Sequence, residues 1–294
     1  MVAFVAPEAS RPAAAGLILV ASALLAATTL LAKALGTEAL GPPLHPLQIT
    51  AGRFVFAFAG VALTAALLRP AFGRVHWRLH LARTTCGASG VTLMFAAAAM
   101  IPLADATAIS FLSPVFAMLL AIPLLGERVG RVRWSAALLA LAGAAILLRP
   151  GASLEIGAAL ALGAAAAMGL ELIFIKRLAG RERPLQVLLV NNAIGVVLTC
   201  TAAAWVLAQP TAAQWAALAA LGLAMAGAQA CYINAMARAD ASFVAPFSYA
   251  TLVFAAAYDA VAFGRLPDAV SVVGAVVIVA GGALLAWREA RLKA

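Results

Sequence analysis

Long apolar runs alternate with short polar connections along almost the whole chain. Most of these runs reach the roughly 20 residues that an α-helix needs to cross about 30 Å of hydrocarbon. Ten runs cover residues 13–32, 47–68, 84–104, 106–126, 134–148, 156–175, 184–208, 212–237, 241–263 and 269–287. They are apolar on all sides and lack the in-and-out alternation of membrane β-strands. The pattern therefore predicts an all-α membrane protein with ten transmembrane helices.

Composition supports this fold class. Hydrophobic residues make up 65% of the 294 residues and charged residues only 11%, whereas a soluble domain carries about 25% charged residues. A soluble core cannot bury that much apolar surface. The first run is too long for the apolar part of a typical signal peptide and nine more runs follow it, so it is expected to stay in the protein.

Lysine and arginine fall almost entirely into alternate connections. If the N-terminus is inside, 16 of the 20 basic residues face the cytoplasm, while Lys33, Arg149 and Arg265 lie outside and Arg53 lies in a span. Because positive charge collects in cytoplasmic loops, both termini are predicted to be cytoplasmic. The net charge of +9 then faces anionic lipid. Nucleic-acid binding is not expected, since the basic residues are scattered and lack stacking aromatics.

The chain carries an internal repeat of short strings. Ala104-Asp105-Ala106-Thr107 opens the fourth run and Ala239-Asp240-Ala241-Ser242 opens the ninth. The repeat divides the chain into residues 13–149 and 156–288. Each half holds five spans, an odd number, so the second half must be inverted relative to the first. Inverted repeats place a substrate site between the halves and open it to each side in turn; a duplication kept only for packing is the alternative.

Further strings in both halves match one family of transporters. In the first half they are Pro102-Leu103-Ala104-Asp105-Ala106-Thr107-Ala108, Ser113-Pro114, Leu125-Gly126-Glu127-Arg128 and Leu148-Arg149-Pro150-Gly151. In the second half they are Ala245-Pro246-Phe247-Ser248-Tyr249, Phe263-Gly264 and Ala280-Gly281-Gly282. In this order and spacing, the chain resembles the EamA-type drug/metabolite transporters over nearly its whole length.

This resemblance implies ten helices in two inverted five-helix repeats, transport of small metabolites, and a peripheral position for spans five and ten. One position departs from the family pattern. Glu127 follows the glycine of the first repeat, as in the family, but Arg265 stands at the corresponding position of the second. A capping or topological role is therefore favoured over a transport role there.

Among such carriers, the resemblance favours a secondary transporter that exports amino acids, including aromatic ones, or related metabolites by alternating access. Import of riboflavin or another cofactor-like metabolite is the alternative, because those transporters share the same strings. A polytopic membrane enzyme is a remote alternative, since it needs paired acids or a His and Asp cluster. The expected partners are a small-molecule substrate and membrane lipid, and both a monomer and a homodimer remain open.

No cofactor or metal site is expected. The three histidines, His45, His76 and His80, are predicted in connections near the bilayer surface. None has a carboxylate at metal-ligand spacing along the sequence. The protein is therefore not expected to be an enzyme.

Three charges are predicted inside spans, where they are costly, so each is a functional candidate. Arg53 is expected either to anchor a substrate carboxylate or to form a structural ion pair, and its depth suggests Asp259 as the partner. Glu171 lies about one turn from Lys176 and Arg177 and is expected to extend toward them. Proton coupling through Glu171 or Asp259 is the alternative for these two acids.

Uncharged polar side chains within the spans form the second set of candidates. They cluster in spans three, four, eight and nine, where they either line a substrate path or bond neighbouring helices together. The predicted path residues are Thr92, Ser110, Ser113, Gln229, Tyr232, Asn234, Ser248 and Tyr249. Pro114 and Pro246 interrupt the helical hydrogen-bond ladder and are predicted hinges, with a tolerated kink as the alternative.

Overall fold

The computed structural model describes residues 11–125, 130–148, 156–178, 181–236, 238 and 247–291. All regular structure within these ranges is helical, which confirms the all-α part of the prediction. The helices are α1 (Arg11–Gly36), α2 (Pro46–Leu68), α3 (Trp77–Met100), α4 (Leu103–Ser110), α5 (Ser113–Leu125), α6 (Arg131–Leu148), α7 (Ile156–Leu178), α8 (Pro184–Ala203), α9 (Ala212–Met236), α10 (Ala250–Phe263) and α11 (Ala269–Arg291).

Six helical stretches in the described ranges are long and apolar enough to cross a membrane. They are Pro12–Gly36, Pro46–Leu68, Leu103–Leu124, Ile156–Leu178, Pro184–Ala203 and Ala212–Ala235. Shorter apolar helices at Ala137–Leu147, Ala250–Phe263 and Ala269–Leu284 coincide with the predicted fifth, ninth and tenth runs, and α3 coincides with the third. The chain is therefore a multi-pass membrane protein. The count of ten spans and the side of each terminus stay predictions.

The predicted fourth span consists of two helices in line. α4 ends at Ser110 and α5 begins at Ser113, and between them the Leu112 N–H donates to the Ile109 carbonyl at 3.0 Å. Because proline lacks an N–H and is favoured in the first turn of a helix, Pro114 fits the first turn of α5 and does not lie within a continuous helix. The interruption therefore lies just before the predicted hinge. Pro246, the other predicted hinge, lies outside the described residues.

The two halves of the chain interlock. α1 packs on α9 and α10 of the second half, and α7 packs on α3, α4 and α5 of the first. α2 lies against both α8 and α9, and α8 also contacts α3. α6 and α11 contact mainly each other, as expected for spans five and ten at the periphery. The interior of the molecule is therefore formed by helices from both halves.

Glycines permit the closest approaches between the halves. A Cβ atom on Gly222 of α9 would lie 2.9 Å from the backbone nitrogen of Ala57 in α2. A Cβ atom on Gly143 of α6 would lie 2.7 Å from the backbone nitrogen of Ile278 in α11. Helices in lipid associate largely through van der Waals packing, and small residues let their backbones meet. A larger side chain at either glycine would push the halves apart.

The arginine distribution yields a prediction about topology. Cysteines introduced at Arg74, between α2 and α3, and at Pro210, between α8 and α9, should react with a membrane-impermeant maleimide from opposite sides of the membrane. The background should lack Cys86, Cys200 and Cys231. The reason is that positive charge holds the first connection in the cytoplasm. Labelling in intact cells and in inverted vesicles measures the side, and labelling of both cysteines from one side would contradict the ten-span topology.

Candidate functional site

Three charged side chains from three helices, two of them buried and one partly exposed, form a group that we call the arginine cluster. It consists of Arg53 of α2, Arg83 of α3 and Glu171 of α7. The arginines are 5% and 6% exposed, respectively. The Arg83 Nε atom lies 3.4 Å from the Glu171 Oε1 atom, and the Glu171 carboxylate attracts both arginines electrostatically. With two cations and one anion, the cluster carries a net positive charge.

The guanidinium groups of this cluster have unused hydrogen-bond donors. The Nε and Nη1 atoms of both Arg53 and Arg83 are buried without a hydrogen-bond partner within the described residues. The Arg53 guanidinium lies 4.5 Å from the centroid of the Phe54 ring, which offsets part of its burial cost. Buried donors that stay unpaired are costly. The cluster can therefore donate to a further anionic group.

The predicted ion pair between Arg53 and Asp259 is wrong. Asp259 of α10 pairs instead with Lys33 of α1. The second carboxylate oxygen of Asp259 accepts the Leu103 N–H at the start of α4, at 2.9 Å. Lys33 was expected in an outer connection, but α1 extends to Gly36 and buries this side chain to 1% exposure. The pair therefore ties together three helices, α1, α4 and α10.

The position of Glu171 also differs from the expectation. Its carboxylate faces Arg83 on α3 and lies against Gly87, where an added Cβ atom would come within 2.8 Å of it. Arg177, one of its two expected neighbours, donates to the Leu124 carbonyl at 2.9 Å. Gly87 thus leaves room for the carboxylate beside the α3 backbone. A proton-coupling role for Glu171 or Asp259 stays a prediction.

Two cavities flank α3 and α8. The first, of about 440 Å³, is lined by α2, α3 and α8 and includes Thr92, whose hydroxyl donates to the Thr50 hydroxyl at 3.0 Å. The second, of about 460 Å³, is lined by α1, α3, α7, α8 and α9 and includes Arg83, Gln229 and Tyr232. We call the second the arginine-side cavity, since it borders the arginine cluster. The Oε1 atom of Gln229 is buried and has no hydrogen-bond partner in the described ranges.

The structure brings together only part of the predicted substrate path. Gln229 and Tyr232 share the arginine-side cavity, whereas Thr92 lines the other cavity. The Ser110 hydroxyl donates to a carbonyl of its own helix, and the Ser113 carbonyl faces α7. Asn234 is exposed and its side chain accepts a hydrogen bond from an arginine one turn away. For these residues, bonding within or between helices is the observed contact.

Tyr249 directly precedes α10 and packs beside the interruption between α4 and α5. Its ring packs edge-on against Phe111, with a distance of 5.2 Å between the ring centroids. Its hydroxyl lies so close to Gly282 of α11 that a Cβ atom there would overlap it. The neighbouring Ser248 carbonyl accepts the Thr251 hydroxyl at 2.8 Å. Neither Tyr249 nor Ser248 lines the two cavities described above, and a role in the substrate path stays a prediction for both.

Two polar clusters, which the sequence analysis missed, join α2 and α8 at opposite ends. Gln48 near the start of α2 donates to the Ala208 carbonyl at 2.7 Å and accepts the Ala208 N–H at 3.0 Å. Gln186 near the start of α8 accepts the Gly73 N–H at 2.8 Å and donates to the Gly73 carbonyl at 3.3 Å. Each glutamine thus binds the connection that follows the other helix. α2, which runs between the two clusters, has 23 residues and is therefore about 35 Å long.

A signal for these clusters was present in the sequence. Pro46-Leu47-Gln48 opens α2 and Pro184-Leu185-Gln186 opens α8, so the same tripeptide begins both helices. We call the two groups of residues the Gln48 cluster and the Gln186 cluster. The Gln48 cluster is neutral: beside it, Gln214 of α9 donates to the Pro42 carbonyl at 2.7 Å.

The Gln186 cluster contains a carboxylate and two histidines. Glu182 accepts the His76 N–H at 2.8 Å and a hydrogen bond from Gln186 at 2.8 Å. Ring nitrogens of His76 and His80 lie 2.9 and 3.0 Å from its two oxygens. The expectation that both histidines lie in connections is wrong for His80, which is buried in α3. Sequence spacing could not reveal this contact, because Glu182 and His80 are 102 positions apart.

Hydrogen bonding at this cluster changes the acidity of Glu182. Burial acts to raise the pKa of this carboxyl group, but hydrogen bonds from the His76 backbone and from the His80 and His76 rings outweigh that effect. Together they lower the pKa of Glu182 to about 2. Within the described residues, no group of three or more histidine, cysteine and acidic side chains is arranged to hold a metal ion. Glu182 therefore acts as an ionised acceptor that holds the α2–α3 and α7–α8 connections together.

Comparison with known proteins decides the family. Two segments of the chain, residues 13–149 and 155–287, match the model of the EamA-like transporter family. The protein belongs to this family. The resemblance inferred from short strings is thereby confirmed, and the protein is a membrane transporter.

The chain is similar to transporters of several different metabolites. It is 32% identical over 222 residues to a riboflavin transporter of Rhizobium johnstonii, covering 73% of this chain and 72% of the relative. It is 28% identical over 203 residues to a pseudopaline exporter of Pseudomonas aeruginosa, covering 68% and 71%. It is 25% identical over 257 residues to an S-adenosylmethionine uptake transporter of Rickettsia bellii, covering 85% and 87%. A crystal structure with 24% identity shares the fold, with a TM-score of 0.64 over 94% of this chain and 98% of the other.

The Lys33–Asp259 contact predicts non-additive effects on stability. Lys33→Met or Asp259→Asn alone should destabilise the protein by about 3–5 kcal/mol, because removing one partner strands the other charge in a buried site. The double variant should lose much less than the sum of the two. Thermal unfolding of the purified protein in one detergent measures the losses. Arg53→Met combined with Asp259→Asn is the control, and its effects should add; additive losses for Lys33 and Asp259 would contradict the pair.

The acidity of Glu182 predicts how stability depends on pH. Its pKa is about 2 in the folded protein against an ordinary value of 4.5. The stabilisation from its ionised form is therefore fully present above pH 4.5 and is lost as the pH falls through about 2. Over this window the melting temperature of the wild type should fall more than that of Glu182→Gln. Glu38→Gln, at an exposed carboxylate, is the control, and parallel falls for wild type and Glu182→Gln would contradict the role of Glu182.

Proposed function

We propose that this protein is a secondary transporter of the bacterial inner membrane that exports amino acids or related small metabolites by alternating access. Family membership establishes membrane transport. We add three features to it: the mechanism, the substrate class and the direction of transport. The observation that supports alternating access is that the Gln48 and Gln186 clusters join α2 and α8 at both ends in the same way.

The helix contacts support two inverted halves, residues 13–149 and 156–288. When the halves are exchanged, the contact of α1 with α9 corresponds to that of α7 with α3, and the contact of α1 with α10 to that of α7 with α5. The contact of α2 with α9 likewise corresponds to that of α8 with α3. The α2–α8 and α6–α11 contacts correspond to themselves. Contacts between the halves that match in pairs under this exchange are expected of inverted repeats around a pseudo-two-fold axis.

Alternating access requires a barrier at each end that opens while the other stays closed. The Gln48 and Gln186 clusters supply chemically equivalent closures, since in each an amide side chain makes two hydrogen bonds to one backbone residue across α2 and α8. A typical hydrogen bond contributes only about 0.5–1.5 kcal/mol net. Two such bonds at each end are strong enough to bias a closed state. They are also weak enough to open during a transport cycle.

The arginine-side cavity supports an amino acid or related metabolite as substrate. A volume of about 460 Å³ lies within the usual range for small-molecule sites. Its lining combines a buried cation, Arg83, a carboxylate, Glu182, and an amide, Gln229, among mostly apolar side chains. A zwitterion with an apolar body fits such a lining. Export is proposed together with this substrate, and the relatives include proteins named for export and for uptake.

Riboflavin import is the second candidate. It is favoured by the 32% identity to the Rhizobium johnstonii riboflavin transporter. Tyr232 supports it as well, because an aromatic ring that lines the cavity can stack on a flat ring system.

Cross-linking each closure tests alternating access. One variant carries cysteines at Gln48 and Ala208, and another carries cysteines at Gln186 and Gly73. Both lack the native cysteines. A disulfide at either end should abolish counterflow in proteoliposomes, and reduction should restore it, because a carrier must open both ends in turn. Counterflow is measured with radiolabelled leucine, phenylalanine and riboflavin, and uptake by inverted vesicles tests the direction of export.

A cysteine pair at Leu147 and Gly274 provides the matched control. These residues join the peripheral helices α6 and α11, where a Cβ atom on Gly274 would lie 2.7 Å from the Leu147 side chain. A disulfide there should leave counterflow intact. Full counterflow with either Gln cluster cross-linked would contradict alternating access, and movement of riboflavin alone would favour the second candidate.

A further inference from the structure

The arginine-side cavity exposes two kinds of unused hydrogen-bonding capacity across the boundary between the halves. Arg83, on α3 of the first half, lines the cavity, and its Nη1 atom has no hydrogen-bond partner in the part of the chain that the structure describes. Gln229, on α9 of the second half, also lines it, and its Oε1 atom likewise has no partner among those residues. A ligand that accepts hydrogen bonds at one end and donates at the other would satisfy both helices at once.

Charge balance restricts the accepting end of that ligand. Arg53 and Arg83 contribute two positive charges and Glu171 one negative charge. The ionised Glu182, which also lines the cavity, is already bonded within the Gln186 cluster. A ligand without an anionic group leaves the excess positive charge of the arginine cluster unpaired, and a doubly charged phosphate reverses it. A single carboxylate balances it, and its two oxygens match the planar donor fork of a guanidinium group.

The contact of Arg83 with Glu171 leaves the guanidinium available. The Nε atom lies 3.4 Å from the Glu171 Oε1 atom and pairs with it electrostatically, whereas the Nη1 atom is buried without a hydrogen-bond partner among the described residues. Gly87 keeps the Glu171 carboxylate beside α3. Arg83 can therefore bond a second carboxylate while Glu171 remains close enough to compete for it.

We propose that Arg83 binds the carboxylate of the transported metabolite in the arginine-side cavity, that Gln229 accepts a hydrogen bond from its amino group, and that Glu171 competes with the substrate carboxylate. This inference rests on the proposed transport function and names the chemistry of its site. The apolar body of the metabolite lies against Leu25, Ile175 and Ile233, which line the same cavity. Riboflavin, which has no carboxylate, does not meet the requirement.

Matched ligand pairs test the carboxylate requirement on the unmodified protein. The probes are leucine, phenylalanine and methionine, each beside its amide, in which an uncharged group replaces the carboxylate. Isothermal titration of the purified full-length protein in detergent measures the affinities. At least one acid should bind about 10- to 100-fold more tightly than its amide, the range for a hydrogen bond to a charged group. Equal affinity within every pair, or no binding of any acid, would overturn the proposal.

Three variants locate the requirement. Arg83→Gln should remove the preference for the acid over the amide, and Arg83→Lys should restore part of it by keeping the charge without the donor fork. Arg177→Gln, at an exposed arginine, is the control and should keep the full preference. The preference is a ratio measured on folded protein, so a loss of stability does not imitate it. An unchanged ratio in Arg83→Gln would overturn the assignment.

Glu171→Gln tests competition separately. Removing the competing negative charge should tighten binding of the acid several-fold and leave the amide unchanged. A purely structural role for Glu171 predicts no such gain, so equal or weaker acid binding would overturn the competition step.

Binding and transport can fail independently. An acid preference that depends on Arg83, together with no counterflow in proteoliposomes, would support the binding site and contradict the carrier function. Counterflow of riboflavin without any acid preference would support transport and overturn the carboxylate site.

Discussion

A charged side chain inside a membrane must find its counter-charge within the protein, because lipid offers neither water nor ions. The pair of Lys33 and Asp259 meets this demand in full, with one charge of each sign and the Leu103 N–H on the remaining carboxylate oxygen. The arginine cluster does not, because Arg53 and Arg83 outnumber Glu171. The same constraint therefore makes the first group a structural link between α1, α4 and α10. It leaves the second able to bind an anion.

The constraint extends to the backbone. Groups in the connections at the membrane surface still need partners where helices cover them, and at Ala208 and Gly73 a glutamine side chain satisfies the N–H and the carbonyl together. An amide suits this task because it donates and accepts at once and carries no charge that would hold the closure permanently. Only the Gln186 cluster adds a carboxylate, Glu182, so the two ends differ in their response to pH although their amide contacts are alike.

Sequence patterns predicted the helices because the bilayer dictates the length and polarity of every span. Short strings within and between those spans predicted the family. They did not predict the pairing of charges. Arg53 was assigned to Asp259 by depth, yet α1 extends about one turn past its predicted end, to Gly36, and so includes Lys33. A shift of one turn is within the uncertainty of any predicted helix end. The contact of His80 with Glu182 was out of reach for another reason, since 102 positions separate them and no spacing rule applies.

The proposed pseudo-symmetry explains where chemistry enters a fold built from repeats. If Pro46-Leu47-Gln48 and Pro184-Leu185-Gln186 are equivalent, then Arg53 corresponds to Asn191, the residue at the same distance from its tripeptide. Asn191 is neutral and accepts the Thr84 hydroxyl at 3.0 Å, so its position is satisfied within the protein. The opening tripeptide of the helix is thus present in both halves, but the buried arginine is present only in the first. A substrate site assembled from unpaired charges must then lie to one side of the pseudo-two-fold axis. The arginine-side cavity borders α3 and α7 and lies beside the arginine cluster, whose two arginines both come from the first half.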